Sequence, residues 1–208
     1  VSHVITATPR PLIIAAAEFE IAPLRAASTD LECHLLLSGI GSVNSALTVA
    51  VWLEKHRRQT NCAIFIGSCG SYLLDRKSSF PIGSALACTR VALGDAAQAE
   101  HRGYMPELMV REHHADPELV RISQAIGTVP AIFASTATIT KDELLASAIA
   151  SATGAQVENL ELFGVAAACA KFDLPWTALS LVTNQVGPNA HSEWASNFAQ
   201  VADKSAQL

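Results

Sequence analysis

The residues best suited to chemistry in this chain are acids set in apolar surroundings. Glu18 and Glu20 follow the run PLIIAAA, residues 11–17, and Glu158 and Glu161 head the run VENLELFGVAAACAKF, residues 157–172. A carboxylate taken out of water is costly unless something pairs with it. If residues 157–172 form one helix, Glu161 shares a face with Glu158, Gly164, Val165 and Ala168. That helix is apolar on nearly every side and is therefore expected to be buried. No Arg or Lys lies one turn from Glu161, so its partner is a group from elsewhere in the fold or a ligand. The alternative is a first-turn acid complementing the helix dipole in water, which suits Glu158 better because it comes earlier. Glu18 and Glu20 present a similar choice. Either one is a general base at a strand end, with alternation putting both on one side if the strand continues, or both are solvated acids at a helix start.

Weaker signals surround these. The glycines of GIGS (39–42) and SCGS (68–71) would let backbone approach a ligand. Neither stretch is a P-loop or a full dinucleotide fingerprint, and ordinary tight turns have the same composition. Glu112, His113, His114 and Asp116 cluster, but not at the spacing of a helical zinc motif, and they read as a solvated loop without a metal. Ser180 and His191 lack the GxSxG elbow that a catalytic triad of the hydrolase type would need.

The elements that must position these residues alternate. Strands are expected at 11–17, at ECHLLLS from Glu32, at CAIFIG running into SCGS, at GSALACTRVAL, at VPAIFASTATIT and at WTALSLVTN. Helices are expected at EFEIAPLRAA despite Pro23, at 42–58 with basic residues at its end, at DPELVRISQAI, at KDELLASAIASAT stopped by Gly154, at 157–172 and after VGPN. Residues 94–115 read as a long loop, and long loops in compact domains are often functional. The alternation argues for a three-layer αβα sandwich with a mixed, largely parallel central sheet. Ligands in such sheets bind beyond strand ends. The site is expected where 16–20, 67–70, 136–140 and Thr183–Asn184 converge.

Bulk properties bound the function. A chain of 208 residues, half of them hydrophobic and 16% charged, fits a single globular domain. The first ten residues, VSHVITATPR, match nothing around them and read as a disordered leader. The net charge is −5 and the 14 Lys and Arg are scattered, which argues against nucleic acid as a partner. No apolar run reaches the ~18 residues of a spanning helix, so no membrane role is expected. The five cysteines form no CxxC pair and are odd in number. They read as small buried hydrophobes in a reducing compartment, the cytoplasm.

In order along the chain, AAAEFEIAPLR, SGIGSVNSA, IGSCGS, VENLE and VTNQVG resemble the motifs of the nucleoside phosphorylase and nucleosidase superfamily. The resemblance runs from Leu12 to the C-terminal helix. Within that superfamily the chain is most similar to the futalosine hydrolases, nucleosidases of menaquinone biosynthesis. The likeness rests on the FEI of Phe19–Ile21, on the VENMEG-like segment from Val157, and on the Thr183–Pro188 segment followed by Trp194. The resemblance implies hydrolysis of a purine N-ribosidic bond with water as nucleophile, a small nucleoside as substrate, no cofactor, and a homodimer. It implies that Glu20 is the catalytic base and that Glu161 accepts hydrogen bonds from ribose hydroxyls, so that substrate supplies the donors this acid lacks. Ser68 lies near water and ribose, Leu160 stands where Met packs on sugar or base, and Thr138 and Ile139 flank the purine. Adenosine-type nucleosidases end their last strand in Ser–Asp, whereas this chain has Thr183–Asn184. A neutral amide cannot protonate a leaving base, but its NH₂ can donate to a 6-keto oxygen or a ring nitrogen, so a hypoxanthine-type base is expected.

Two departures stand out: Leu162 replaces the glycine of VENMEG, and after Asp95 the 94–115 segment, expected to meet the 5′ substituent, diverges. Arg25 and Arg90 form no recognisable phosphate motif, which favours water over phosphate. The competing readings are an adenine nucleosidase acting on methylthioadenosine, S-adenosylhomocysteine or aminodeoxyfutalosine, a phosphorylase on the same fold, and a non-catalytic nucleoside-binding protein.

Overall fold

The apolar runs become strands and the amphipathic ones helices in a computed structural model that describes residues 8–27, 32–74 and 77–205. In chain order the first elements are β1 (Arg10–Ala15), α1 (Glu18–Ala27), β2 (His34–Leu37), α2 (Ser42–His56), β3 (Thr60–Ser71), β4 (Leu73–Leu74), β5 (Lys77–Ser78) and β6 (Ala85–Gly94). Then follow α3 (Ala96–Ala99), β7 (Glu112–His114), α4 (Pro117–Ala125), β8 (Val129–Thr136), α5 (Glu143–Thr153), β9 (Val157–Asn159), α6 (Leu162–Lys171), β10 (Trp176–Gln185) and α7 (Ala190–Ser205). Local chemistry sets several boundaries. Asp116 caps α4 through the N–H groups of Glu118 and Leu119, Asp142 caps α5 through that of Leu145, and Gly154 ends α5 in a left-handed conformation.

Eight strands form one mixed sheet in the order β10-β6-β8-β9-β3-β1-β2, with β7 on β6. The pairs β1–β2, β1–β3, β3–β10, β6–β8 and β8–β9 are parallel, while β6–β10, β3–β9 and β6–β7 are antiparallel. Because β3 also pairs with β10, the strands β3, β10, β6, β8 and β9 close on themselves. The period-2 alternation of β1 and β3 splits their side chains between two layers. Leu12, Ile14, Ala63 and Phe65 pack with Val49 and Leu53 of α2 and with Leu162 and Val165 of α6. Ile13, Ala15, Ile64 and Ile66 pack with Ile21 and Leu24 of α1. Helix α7 lies against α1 and β10. The result is the expected layered α/β architecture. Among the described residues no helix is long and apolar enough to cross a membrane.

Three expectations change. The 157–172 run is not one helix: Val157–Asn159 is a strand held between β8 and β3, and the helix begins only at Leu162. Three buried residues between two strands carry no readable period, so the run's helical end masked its strand start. Residues 94–115 are not a bare loop, since they hold α3, capped by Asp95, and β7, which extends the sheet. Of the expected leader, residues 1–7 lie outside the described residues, while Arg10 opens β1 and the Pro9 carbonyl accepts from the Asn61 amide.

The seam between α2 and α6 bears on the site. At Gly164 a Cβ would lie 1.9 Å from the Ser42 carbonyl oxygen, so the two helix starts meet backbone to backbone there. Ser42 Oγ then donates to the Leu160 carbonyl at 2.8 Å, tying the segment that carries Glu161 to the start of α2.

Candidate active site

The two strand-end acids part company at once. Where β1 ends, the chain turns into α1, and Glu20 folds back over that turn. Its Oε2 accepts from the N–H groups of Ala16 (2.9 Å) and Ala17 (3.2 Å), and its Oε1 from that of Ser68 in β3 (3.3 Å). Glu18 points outward and pairs with Arg25 at 2.7 Å, both half exposed, so Glu18 is the solvated helix-start acid. Burial raises the Glu20 pKa, the nearby Glu161 charge raises it further, and the three N–H donors pull it back, leaving it at about 7.

Glu161 sits at the entrance of α6. Its Oε1 accepts from the Gly41 N–H at 3.0 Å and its Oε2 from the Asn159 amide at 2.9 Å. The partner expected from substrate is thus partly supplied by the protein, through α2's first turn and a neighbouring amide. Burial pushes the Glu161 pKa up, and the Gly41 donor is the main opposing influence. Asn159 also caps α6, because its Oδ1 accepts from the N–H groups of Glu161 (2.8 Å) and Leu162 (2.7 Å). Sequence reasoning passed over Asn159. The signal was there, since Asn ahead of an apolar helical run is a preferred cap.

Glu158 is not the solvated acid expected of it. It is 6% exposed and accepts from the Thr140 N–H (3.0 Å), the Thr140 hydroxyl (2.6 Å) and the Tyr72 hydroxyl (2.9 Å). Burial raises its pKa against these donors.

At the end of β10 the register against β3 slips between Val182 and Asn184, which pair with Cys69 and Gly70. The slip leaves Thr183 unpaired and sets Asn184 opposite Gly70. A Cβ at Gly70 would lie 2.8 Å from Asn184 Nδ2, so the amide leans over a position that must lack a side chain. Asn184 Nδ2 donates to the Gln185 carbonyl (3.0 Å), and Thr183 Oγ1 donates to Asn184 Oδ1 (2.8 Å). A carbonyl only accepts, so the Gln185 oxygen fixes which way the amide faces.

These groups surround one cavity of about 290 Å³, near the lower end of small-molecule sites. Of the residues expected at the site, Glu20, Ser68, Ile139, Leu160, Glu161, Thr183 and Asn184 line it. Thr138 does not; it is exposed, and its neighbour Ile139 provides the wall instead. Phe19, Ile40, His191 and Trp194 also line the cavity. Trp194 stacks on Phe198 (4.9 Å between centroids) and meets Phe19 edge-on (5.8 Å). Leu162 is wholly buried in the main core, so the residue replacing the family glycine points away from the cavity. No residue of the 94–115 segment lines it.

Among the described residues neither Lys nor Arg lines the cavity. Arg25 is paired with Glu18, and Arg90 with Glu112 and the Thr153 carbonyl. Elsewhere, His114 meets Glu112 at 3.3 Å and His113 packs on Phe163. Ser180 lies in β10 away from the cavity that His191 lines.

Residues 17–208 match the sequence profile of the phosphorylase superfamily. Among solved structures, a mutant of Helicobacter pylori MTAN with 5′-methylthioadenosine in its active site aligns at TM-score 0.80 and 20% identity, over 96% of this chain and 95% of that one. The native futalosine hydrolase of H. pylori aligns at TM-score 0.81 and 19% identity, over 99% and 96%. The 5′-methylthioadenosine/S-adenosylhomocysteine nucleosidase of Neisseria meningitidis, in complex with methylthio-immucillin-A, aligns at 0.80 and 19%, over 95% of each chain. Among curated proteins none matches significantly. With a profile match over nearly its whole length and a fold shared end to end with these structures, the chain belongs to the phosphorylase superfamily.

Proposed function

We propose that this protein is a nucleosidase that hydrolyses the N-ribosidic bond of futalosine or a close 6-oxopurine nucleoside, releasing hypoxanthine, in menaquinone biosynthesis. The observation that carries the reading is one cavity holding Glu20 and Glu161 as partly desolvated carboxylates with a neutral amide, Asn184, in the same wall. Glu20, with a pKa near the working pH, takes a proton from the attacking water. Glu161 accepts from ribose hydroxyls through the lone pairs that Gly41 and Asn159 leave over. The negative charge of both acids stabilises a sugar that becomes cationic as the bond to the base lengthens. Ser68 holds the water and ribose near Glu20. Leu160 and Ile139 pack on sugar and base, while Thr183 orients Asn184.

The second hydrogen of Asn184 Nδ2 donates to the base. An amide cannot supply the proton that an adenine-type leaving group would draw from an acid, which separates this reading from the adenine nucleosidases among the structural neighbours. Among the described residues no Lys or Arg lines the cavity, which supports water over phosphate as nucleophile. The shared fold with the H. pylori futalosine hydrolase agrees with this choice and leaves the substrate to be tested.

A homodimer is part of the proposal. On α2 and the turn before it, Ile40, Val43, Leu47 and Val51 are 59%, 73%, 62% and 59% exposed. They form an apolar stripe at helical spacing, and Ile40 also lines the cavity. A second copy of the chain covering this stripe would remove the exposure beside the site.

Three outcomes are expected. Futalosine releases hypoxanthine at a rate independent of phosphate, while methylthioadenosine releases little adenine; phosphate-dependent turnover or equal adenine release contradicts the reading. The Glu20→Gln variant keeps its shape but loses the base, and kcat falls by roughly two to four decades, while wild-type kcat falls as pH drops below about 7. Unchanged turnover in the variant would reassign the base. In sedimentation at micromolar concentration the wild type runs as a dimer and Leu47→Glu as a monomer; a monomeric wild type removes the dimer.

A further inference from the structure

The stretch GIGS, residues 39–42, ends in a polar side chain that the proposed mechanism does not use. Ser42 opens α2, yet its hydroxyl does nothing for its own helix. Gly41 is the cap residue there, and no side chain caps that end. The Ser42 hydroxyl crosses the seam instead and donates to the Leu160 carbonyl at 2.8 Å. Ser42 does not line the cavity, whereas Leu160 and Glu161 do. Any effect of Ser42 on chemistry therefore passes through the groups it holds.

What it holds is one end of a single peptide unit. The Leu160 carbonyl and the Glu161 N–H belong to the same planar peptide. Ser42 Oγ donates to the carbonyl end, and the N–H end donates to Asn159 Oδ1 at 2.8 Å. With both ends bound, the plane is fixed, and it sets the direction in which the Glu161 side chain leaves the backbone. The carboxylate at the far end is bound by the Gly41 N–H (3.0 Å) and the Asn159 amide (2.9 Å). Gly41 and Ser42 thus hold the tip and the root of one acid. Their turn is itself anchored. Asn44 Nδ2 donates to the Ile40 carbonyl and Ser45 Oγ to the Gly39 carbonyl, each at 3.0 Å. The Ser38 N–H donates to the Ala15 carbonyl at the end of β1, at 2.8 Å.

We infer that Ser42 is a positioning residue for sugar recognition: by pinning the Leu160–Glu161 peptide it aims the Glu161 carboxylate at the ribose hydroxyls. The inference rests on the proposed role of Glu161 toward ribose and adds the group that sets its geometry. Without the hydroxyl the peptide is bound at its N–H end alone, and rotation about that end carries the carboxylate with it. A small misplacement of a group that must meet its substrate at hydrogen-bond distance lowers the rate steeply. The loss is confined to what Glu161 touches, so it follows the ribose hydroxyls and not the base.

The test compares futalosine, or methylthioadenosine should that be the nucleoside cleaved, with its 2′-deoxy and 3′-deoxy derivatives in the wild type, Ser42→Ala and Ser42→Gly. In the wild type, removing a hydroxyl that Glu161 binds costs roughly ten- to a hundredfold in kcat/KM. In Ser42→Ala the parent falls about tenfold, while the deoxy derivative that suffers most in the wild type falls less than about threefold, so the deoxy penalty shrinks. A merely structural bond would lower all the substrates alike. Ser42→Gly removes the same hydroxyl, so a folding failure of the alanine variant does not end the test. An equal fall on parent and deoxy derivatives, or no fall on any of them, overturns the inference and leaves Ser42 as a tie between α2 and α6. Glu161→Ala reports separately on the reading beneath it: a wild-type deoxy penalty that persists there shows that Glu161 does not bind ribose, and the inference falls with that reading.

Discussion

Two carboxylates share one cavity, and main-chain N–H groups help to hold both in place. Glu20 is fixed by amides at the β1–α1 turn and by Ser68, and Glu161 by the first amide of the α2 turn with the help of Asn159. Backbone donors cost no side-chain entropy, and they keep an acid ionisable where burial alone would neutralise it. The arrangement still has a cost in stability. A carboxylate whose pKa rises on folding holds its proton more tightly in the native state than in the unfolded chain. For Glu20 the native state therefore loses stability as pH rises from the ordinary carboxylate range toward about 7. The site is least comfortable at the pH where the proposed base would work, a common position for catalytic acids and bases.

Much of the fold follows from bringing these groups together. Strand β3 pairs with β1 along its first half and reaches β9 only at its end, while β10 runs beside it from Ala63 to Ser71. This change of neighbours gathers the end of β1, the end of β10 and the short β9 around one cavity. Side chains are left out where backbones must approach. Gly164 lets α6 meet Ser42, so that the α2 amide reaches Glu161, and Gly70 lets the Asn184 amide lie over the sheet. A methyl group at either place would push apart elements that the site needs in contact.

The alternation of strands and helices was legible because the central strands are apolar on both faces, lying between two layers, whereas the helices carry their apolar residues at helical spacing. The two central acids were legible too, as carboxylates in surroundings that do not solvate them. The reading failed where a segment was too short to show a period. Val157–Asn159 is three buried residues, so the acid at its centre was assigned to a helix and to water, when it is neither helical nor solvated. Asn159 was missed because its value lies in three-dimensional contacts: it caps α6 and holds Glu161 at the same time. Thr138 and Ile139 could not be separated from sequence, since which of two adjacent residues faces a cavity depends on the turn that carries them. The 94–115 segment had enough polar residues to look like loop, yet β6 offered β7 an edge to pair with.

The most direct measurement is a carboxyl-carbon NMR titration of Glu20 in the wild type and in Glu161→Gln. The midpoint for Glu20 should lie near 7 in the wild type and move down, while staying above the ordinary range, when the Glu161 charge is removed. A wild-type midpoint at about 4 to 5, where an unperturbed glutamate titrates, would mean that the two acids do not share a desolvated cavity. A midpoint that the Glu161 change leaves in place would mean that they do not sense each other.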